Sequence, residues 1–192
     1  MIKVIGLTGT IASGKSVVGN ILKSKGFDVI SLSSIIREYL DTKGIIANRK
    51  TMQDAGNELR RNYGGHILAE RSLAKFPKND FLVIDGIRNI EEIDYLKANS
   101  IFTLIGVDAP IEVRWERVKK RNRDNDLLNY DKFLLDDARD RGFNEPLNGQ
   151  QVGMCLVQAD HLIINDEEFE KLEDSKIYSE TLEILESIQR KN

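Results

Sequence analysis

The sequence predicts a three-layer α/β/α domain on a five-stranded parallel sheet, and three observations carry that expectation. Short apolar, β-branched segments recur along the whole chain. Helical periods fill every interval between them. A glycine-rich loop joins the first segment to the first helical period. Alternation of this kind calls for right-handed crossovers that place helices on both faces of a sheet.

The strand candidates, in order, are Val4–Leu7, Phe27–Ile30, Phe81–Ile84, Phe102–Val107 and His161–Ile164. Their near-continuous apolar character suits strands buried on both faces. After the first strand, Val17, Val18, Ile21 and Leu22 mark a helix. Ile35, Ile36, Tyr39 and Leu40 mark another, and Ala69, Leu73 and Phe76 a third. Residues 33–79 are too many for one helix and should hold two or more. Behind Pro110, which suits a first helical turn, Ile111, Trp115 and Val118 form a stripe in which Trp115 reads as core. Residues 109–160 again need several helices. Ile177, Thr181, Ile184 and Ile188 line one face of a C-terminal helix. The excursion over 33–79 is expected to bind an acceptor, and 109–160 to act as a lid. No linker or internal repeat divides residues 1–192, which read as one domain.

Composition narrows the function. Of 192 residues, 41% are hydrophobic and 31% charged, as in a folded globular chain. The net charge of −3 argues against a protein that works by neutralising nucleic-acid phosphates. No apolar run approaches the ~20 residues of a membrane span, and no leader pattern opens the chain. The lone Cys155 excludes an internal disulfide framework and a cysteine-built zinc site. The reading is a cytoplasmic protein, monomeric or weakly self-associating.

The chemistry begins at Gly9-Thr10-Ile11-Ala12-Ser13-Gly14-Lys15-Ser16, which matches G-x-x-x-x-G-K-[ST] between a strand and a helix. Such a P-loop turns backbone N–H groups toward phosphates, and the following helix, from Val17 onward, adds a fixed positive field. Lys15 is expected on the β- and γ-phosphates of ATP and Ser16 on Mg²⁺. The partner carboxylate is expected at Asp85, which ends Phe81-Leu82-Val83-Ile84-Asp85 at a strand's carboxyl edge. The alternative makes Asp85 the N-cap of the helix starting near Ile90.

Arg37 and Arg88 each follow a strand end closely and are expected to clamp an acceptor phosphate, with Arg60 and Arg61 weaker candidates for the same pocket. A solvated pair, such as Arg37 with Glu38 or Asp41, is the alternative. Arg114, Arg117 and Arg121 share a helix face, with Lys120 and Arg123 nearby. Arg117 and Arg121 are expected to close over the transferring phosphoryl group, Arg139 and Arg141 completing the lid. The alternative is a solvated face with pairs such as Glu116 and Lys120. His66 and His161 are isolated and read as structural.

These residues resemble the nucleoside monophosphate kinase superfamily. The carriers are the phosphate loop, Ser33-Ser34-Ile35-Ile36-Arg37, Asp85-Gly86-Ile87-Arg88 and the arginine-rich helix after strand four. Within it, Ala159-Asp160-His161-Leu162-Ile163-Ile164-Asn165-Asp166 is similar to the last strand of dephospho-CoA kinase-like proteins. The resemblance implies the P-loop NTPase fold, ATP and Mg²⁺, and a small-molecule acceptor held by an arginine in each of the two matching segments. One departure bears on the acceptor. Dephospho-CoA kinases carry an aspartate after strand two, where Ser31-Leu32-Ser33-Ser34 offers only hydroxyls. A phosphate acceptor is already anionic and needs clamping rather than a base. The expected activity is therefore a nucleotide kinase. Phosphorylation of a ribose hydroxyl, with Asp85 as base, is the alternative. A nucleotide-binding switch is a third reading, but it wants an Asn-Lys-x-Asp guanine reader that is absent, and Asp41-Thr42-Lys43-Gly44 lies at a helix end.

Overall fold

A computed structural model describes residues 2–75, 81–121 and 129–190. Its strands are β1 (Lys3–Gly9), β2 (Asp28–Ser31), β3 (Phe81–Asp85), β4 (Ile101–Asp108) and β5 (His161–Ile164). They form one parallel sheet in the order β2-β3-β1-β4-β5. β1 is central, and its Leu7 lies opposite Asp85 of β3 on one side and Ile105 of β4 on the other.

Successive side chains of a strand point to opposite faces, and here the two faces feed two cores. Val4, Leu82, Ile84 and Leu104 pack with α2 (Leu32–Thr42), α3 (Arg49–Tyr63), α4 (Ile67–Lys75), α5 (Ile90–Asn99) and α8 (Val152–Val157). Ile5, Leu7, Val83, Ile105 and Ile163 pack with α1 (Lys15–Ser24) and α9 (Lys176–Arg190). This is the expected three-layer α/β/α architecture. β5 departs from the expectation of burial on both faces: Leu162 is 54% and Ile164 38% exposed. It is an edge strand, with β4 on one side only.

Residues 33–75 contribute most of α2 and all of α3 and α4. Residues 109–160 contribute α6 (Ile111–Arg121), α7 (Tyr130–Arg141) and α8. Both excursions leave the sheet at its carboxyl edge. α6 and α7 meet in a satellite cluster where Val118, Phe133 and Trp115 pack against Ile11 and Ala12 of the phosphate loop. Trp115 therefore belongs to this outlying cluster, its ring 5.4 Å from that of Phe133, rather than to either main core.

Candidate active site

The loop Gly9–Ser16 leaves β1 and enters α1. Gly9 has φ +150° and Gly14 φ +108°, where side chains strain the backbone. A Cβ on Gly14 would also collide with Asn165 Nδ2. Ala12, at φ +58°, is a non-glycine residue in the left-handed region, held where Ile11 and Ala12 pack under α6 and α7. Helices α2, α3, α5 and α7 start with a capping side chain, from Ser31, Asn48, Asn89 and Asn129 respectively. α1 starts at Gly14 with none. Its first N–H groups are left to a ligand, and the helix dipole favours an anion there.

Lys15 Nζ donates to Gly9 O (2.7 Å) and Thr10 O (3.0 Å), folded along the loop. Two oxygens nearby are buried and without a hydrogen bond: Ser13 Oγ and Asp85 Oδ1. Asp85 does not cap α5; Asn89 does, accepting from Glu91 N at 2.9 Å. An unbonded buried carboxylate oxygen is costly unless something meets it. A carboxylate oxygen of this kind and a hydroxyl such as that of Ser16, at the start of α1, are the donor types Mg²⁺ takes, with water and phosphate completing its shell. No cluster of three or more acidic, histidine or cysteine ligands exists among the described residues.

β4 ends in a second carboxylate that the sequence reading passed over. Asp108 accepts from Thr10 Oγ1 (2.6 Å) and its own neighbour Ala109 N (2.9 Å), and Arg141 Nη2 lies 3.3 Å away. It fixes the loop to the sheet edge. The signal was present, since Phe102–Val107 followed by Asp108 repeats the pattern that singled out Asp85. On the far side, Asn165 Nδ2 donates to Ser13 O (2.8 Å), tying the end of β5 to the loop.

Arg37, Arg60 and Arg88 line a single cavity of about 250 Å³ between α2, α3 and the segment after β3. The sequence reading missed its other ionic members, Arg49 and Asp140. Arg37 is exposed and makes no ion pair or hydrogen bond among the described residues. Arg60 is 2% exposed and gives Nε (3.0 Å) and Nη2 (2.8 Å) to the fully buried Glu92. The other Glu92 oxygen receives the backbone N–H groups of Arg88 (2.8 Å) and Asn89 (3.1 Å). One carboxylate thus locks α3 to the segment carrying Arg88. Arg61 faces away, into a separate cleft with Asp54 and Glu58. Arg88 Nη1 donates to Asp140 Oδ2 (2.8 Å) and Gln150 Oε1 (2.7 Å), and the Asp140 charge raises the Arg88 pKa further. Burial alone would push Asp140 up, but Arg88 and Arg49 hold its carboxyl below the usual value.

The arginines of α6 and α7 divide. Arg114 corrects both sequence readings of that helix face. It is 1% exposed, makes two bonds to Asp137 (2.5 and 2.9 Å), and donates to Ala109 O (2.9 Å) and Ile11 O (3.3 Å). It does not face solvent, and its guanidinium is taken up in tying α7 to the loop backbone. Arg117 donates to Ser13 O (3.4 Å), Asn165 Oδ1 (3.2 Å) and Glu167 O (3.0 Å), at the junction of the loop with the segment after β5. In place of the Glu116–Lys120 pair offered by the solvated-face alternative, Glu116 pairs with Lys119 (2.7 Å) and Lys120 with Glu168. The side chains of Arg121 and Arg123 lie outside the described residues. Arg141 reaches Asp108 and Asp137, whereas Arg139 joins Asp54 and Glu145 on the outer side of α3. His66 stacks on Tyr95 at 5.3 Å, consistent with a structural role.

Comparison with known proteins bears on the family and the fold. Residues 5–132 match the model of a family described as an AAA domain. A UPF0200 protein of Methanococcus vannielii is 31% identical over 173 residues, covering 88% of this chain and 90% of the relative. Among solved structures, shikimate kinase from Bacteroides thetaiotaomicron superposes with a TM-score of 0.56 at 16% identity, covering 98% of each chain. Dephospho-CoA kinase from Campylobacter jejuni does so with a TM-score of 0.50 at 17% identity, again over 98% of each. The fold is that of the small P-loop kinases.

Proposed function

The chain belongs to the AAA-domain family matched by residues 5–132 and to the UPF0200 proteins, and on that premise we propose that it is an ATP-dependent kinase whose acceptor is a phosphate-bearing nucleotide. The observation that carries this reading is the convergence of Arg37, Arg60 and Arg88 on one cavity at the sheet edge that bears the uncapped phosphate loop.

The roles follow from position. Backbone N–H groups of residues 9–17 cradle the ATP phosphates, and Lys15 leaves its loop carbonyls to follow the transferred group. Ser16 and Asp85 would hold Mg²⁺, which supplies charge neutralisation on the phosphate oxygens when bound. Arg37 and Arg88 hold the acceptor phosphate in line, and Arg60, fixed by Glu92, shapes the cavity wall. Arg117 and Arg121 close from α6 and stabilise the charge of the transition state. Positioning and electrostatics suffice, because an anionic acceptor needs no base.

The hydroxyl-acceptor reading requires a carboxylate free to take a proton. Asp140 is engaged by Arg49, Arg88 and Gln53 and is a poor base. Among the described residues Asp85 is left as the candidate for that role, and the arginine-rich cavity favours an anion. The deciding experiment is an ATP-consumption screen with Mg²⁺ across nucleoside monophosphates, deoxynucleoside monophosphates and dephospho-CoA. Turnover with a monophosphate supports the proposal. Turnover with dephospho-CoA alone overturns it in favour of the hydroxyl acceptor.

A further inference from the structure

Asp140 sits in the wrong place for an ordinary surface residue of α7. Its side chain is 2% exposed, and both carboxylate oxygens are used inside the cavity. Oδ1 receives Gln53 Nε2 (2.8 Å), and Oδ2 receives Arg49 Nη2 (3.0 Å) and Arg88 Nη1 (2.8 Å). Arg49 is paired a second time, with Asp136 at 3.1 Å. The contacts come from three separate places: α7, α3 and the segment after β3. A helix reaching across to insert an anion among cations that line a cavity is doing more than filling space.

Charge counting shows what it does. Arg37, Arg49, Arg60 and Arg88 line the cavity, while Glu92, Asp136 and Asp140 each pair with one or two of them. The balance is a single net positive charge. Arg88 is oriented as well as neutralised. Its Nη1 is pinned by Asp140 and Gln150, and its Nε and Nη2 make no hydrogen bond among the described residues. That open edge offers two donors in the planar fork that matches one phosphate.

We propose that Asp140 is the specificity-determining residue of this cavity: an internal counter-anion that presents the open edge of Arg88 to one phosphate group and repels anions of higher charge. The inference rests on the acceptor reading of the cavity and extends it, because a pocket beside an ATP-binding loop must turn away di- and triphosphates that would otherwise occupy it. With Asp140 in place, each further negative charge on a ligand meets a fixed carboxylate a few ångströms off. At ~6 Å and an effective dielectric of roughly 40, that repulsion amounts to about tenfold in affinity per charge.

The test uses the full chain with its phosphate loop saturated by a non-hydrolysable ATP analogue and Mg²⁺. Inorganic phosphate and pyrophosphate are then titrated by calorimetry. The ratio of their affinities should shift about tenfold toward pyrophosphate in Asp140→Asn, and adding Arg49→Gln, which restores the charge balance, should return it. Loss of packing alone would weaken both ligands without moving the ratio. Should Asp140→Asn fail to fold, Asp136→Asn removes one charge from a side chain 20% exposed and should shift the ratio in the same direction. A ratio within twofold of the wild type in the folded variants overturns the proposal. Failure of the underlying acceptor reading looks different: Arg37→Ala and Arg88→Ala would then leave phosphate binding unchanged, whatever Asp140→Asn does. A wild-type chain that binds neither probe overturns both.

Discussion

Replacing Glu92 by Gln tests whether the arginine cavity depends on one buried carboxylate. Glu92 is 0% exposed and accepts four hydrogen bonds, two from Arg60 and two from the backbone of Arg88 and Asn89. Glutamine keeps the shape but removes the charge facing Arg60, itself 2% exposed. It also places an amide NH₂ against donors, so at least one buried N–H loses its acceptor. Breaking a buried ion pair from one side costs ~3–5 kcal/mol, because the remaining charge is left uncompensated. For a chain of this length that lowers the melting temperature by roughly 6–20 °C. Urea unfolding of Glu92→Gln, Arg60→Met and the double variant completes the cycle. The double variant should be distinctly less destabilised than the sum of the singles, since removing both charges leaves neither stranded. A Glu92→Gln protein within 1 kcal/mol of wild type, the size of an exposed pair, would refute the view that this pair locks α3 to the Arg88 segment.

Four further outcomes are expected. Lys15→Met should remain folded yet lose ~10²-fold or more in turnover, while Arg37→Ala and Arg88→Ala raise the acceptor KM roughly 10- to 150-fold each, the equivalent of ~1.5–3 kcal/mol, and leave the ATP KM near normal; steady-state kinetics separates the two patterns. The depressed pKa of Asp140 gives stability that is full above its unfolded value near 3.8 and is lost as pH falls through the lower folded value. Acid unfolding of Asp140→Asn should accordingly lack part of the wild-type loss below pH ~4. Cys155, fully buried with its thiol pushed up to about 12, should resist iodoacetamide at neutral pH in the folded chain and react only on unfolding.

Local rules made much of this legible. The phosphate loop announces itself because its chemistry needs glycines, a lysine and a hydroxyl in consecutive positions. Asp85 and Arg88 follow because an apolar run ending in polar residues marks the carboxyl edge of a buried strand. What stayed hidden was set by long-range packing. Asp136-Asp137-Ala138-Arg139-Asp140-Arg141 has the composition of a solvated helix face. Only the approach of α7 to α3 and α6 buries Asp137 and Asp140 beside arginines far away in the chain. Arg114 was misread for the same reason: helical spacing puts it in line with Arg117, but its aspartate partner comes from another helix. Asp108 is a different case, where a usable local signal was applied to one strand and not to its neighbour.

The strand order carries a consequence for synthesis on the ribosome. β1 and β2 are not neighbours; β1 pairs with β3 and β4, and β2 with β3. No sheet can therefore form until Phe81–Asp85 has left the exit tunnel. At 5–20 residues per second the seventy-odd residues between Gly9 and Phe81 take roughly 4–15 s to make. Throughout that interval Val4, Ile5 and Leu7, buried in the finished protein, have no strand to lie against. The strand that leads into the phosphate loop thus waits for a partner made much later in the chain, and a nascent-chain-binding chaperone has that interval in which to hold it.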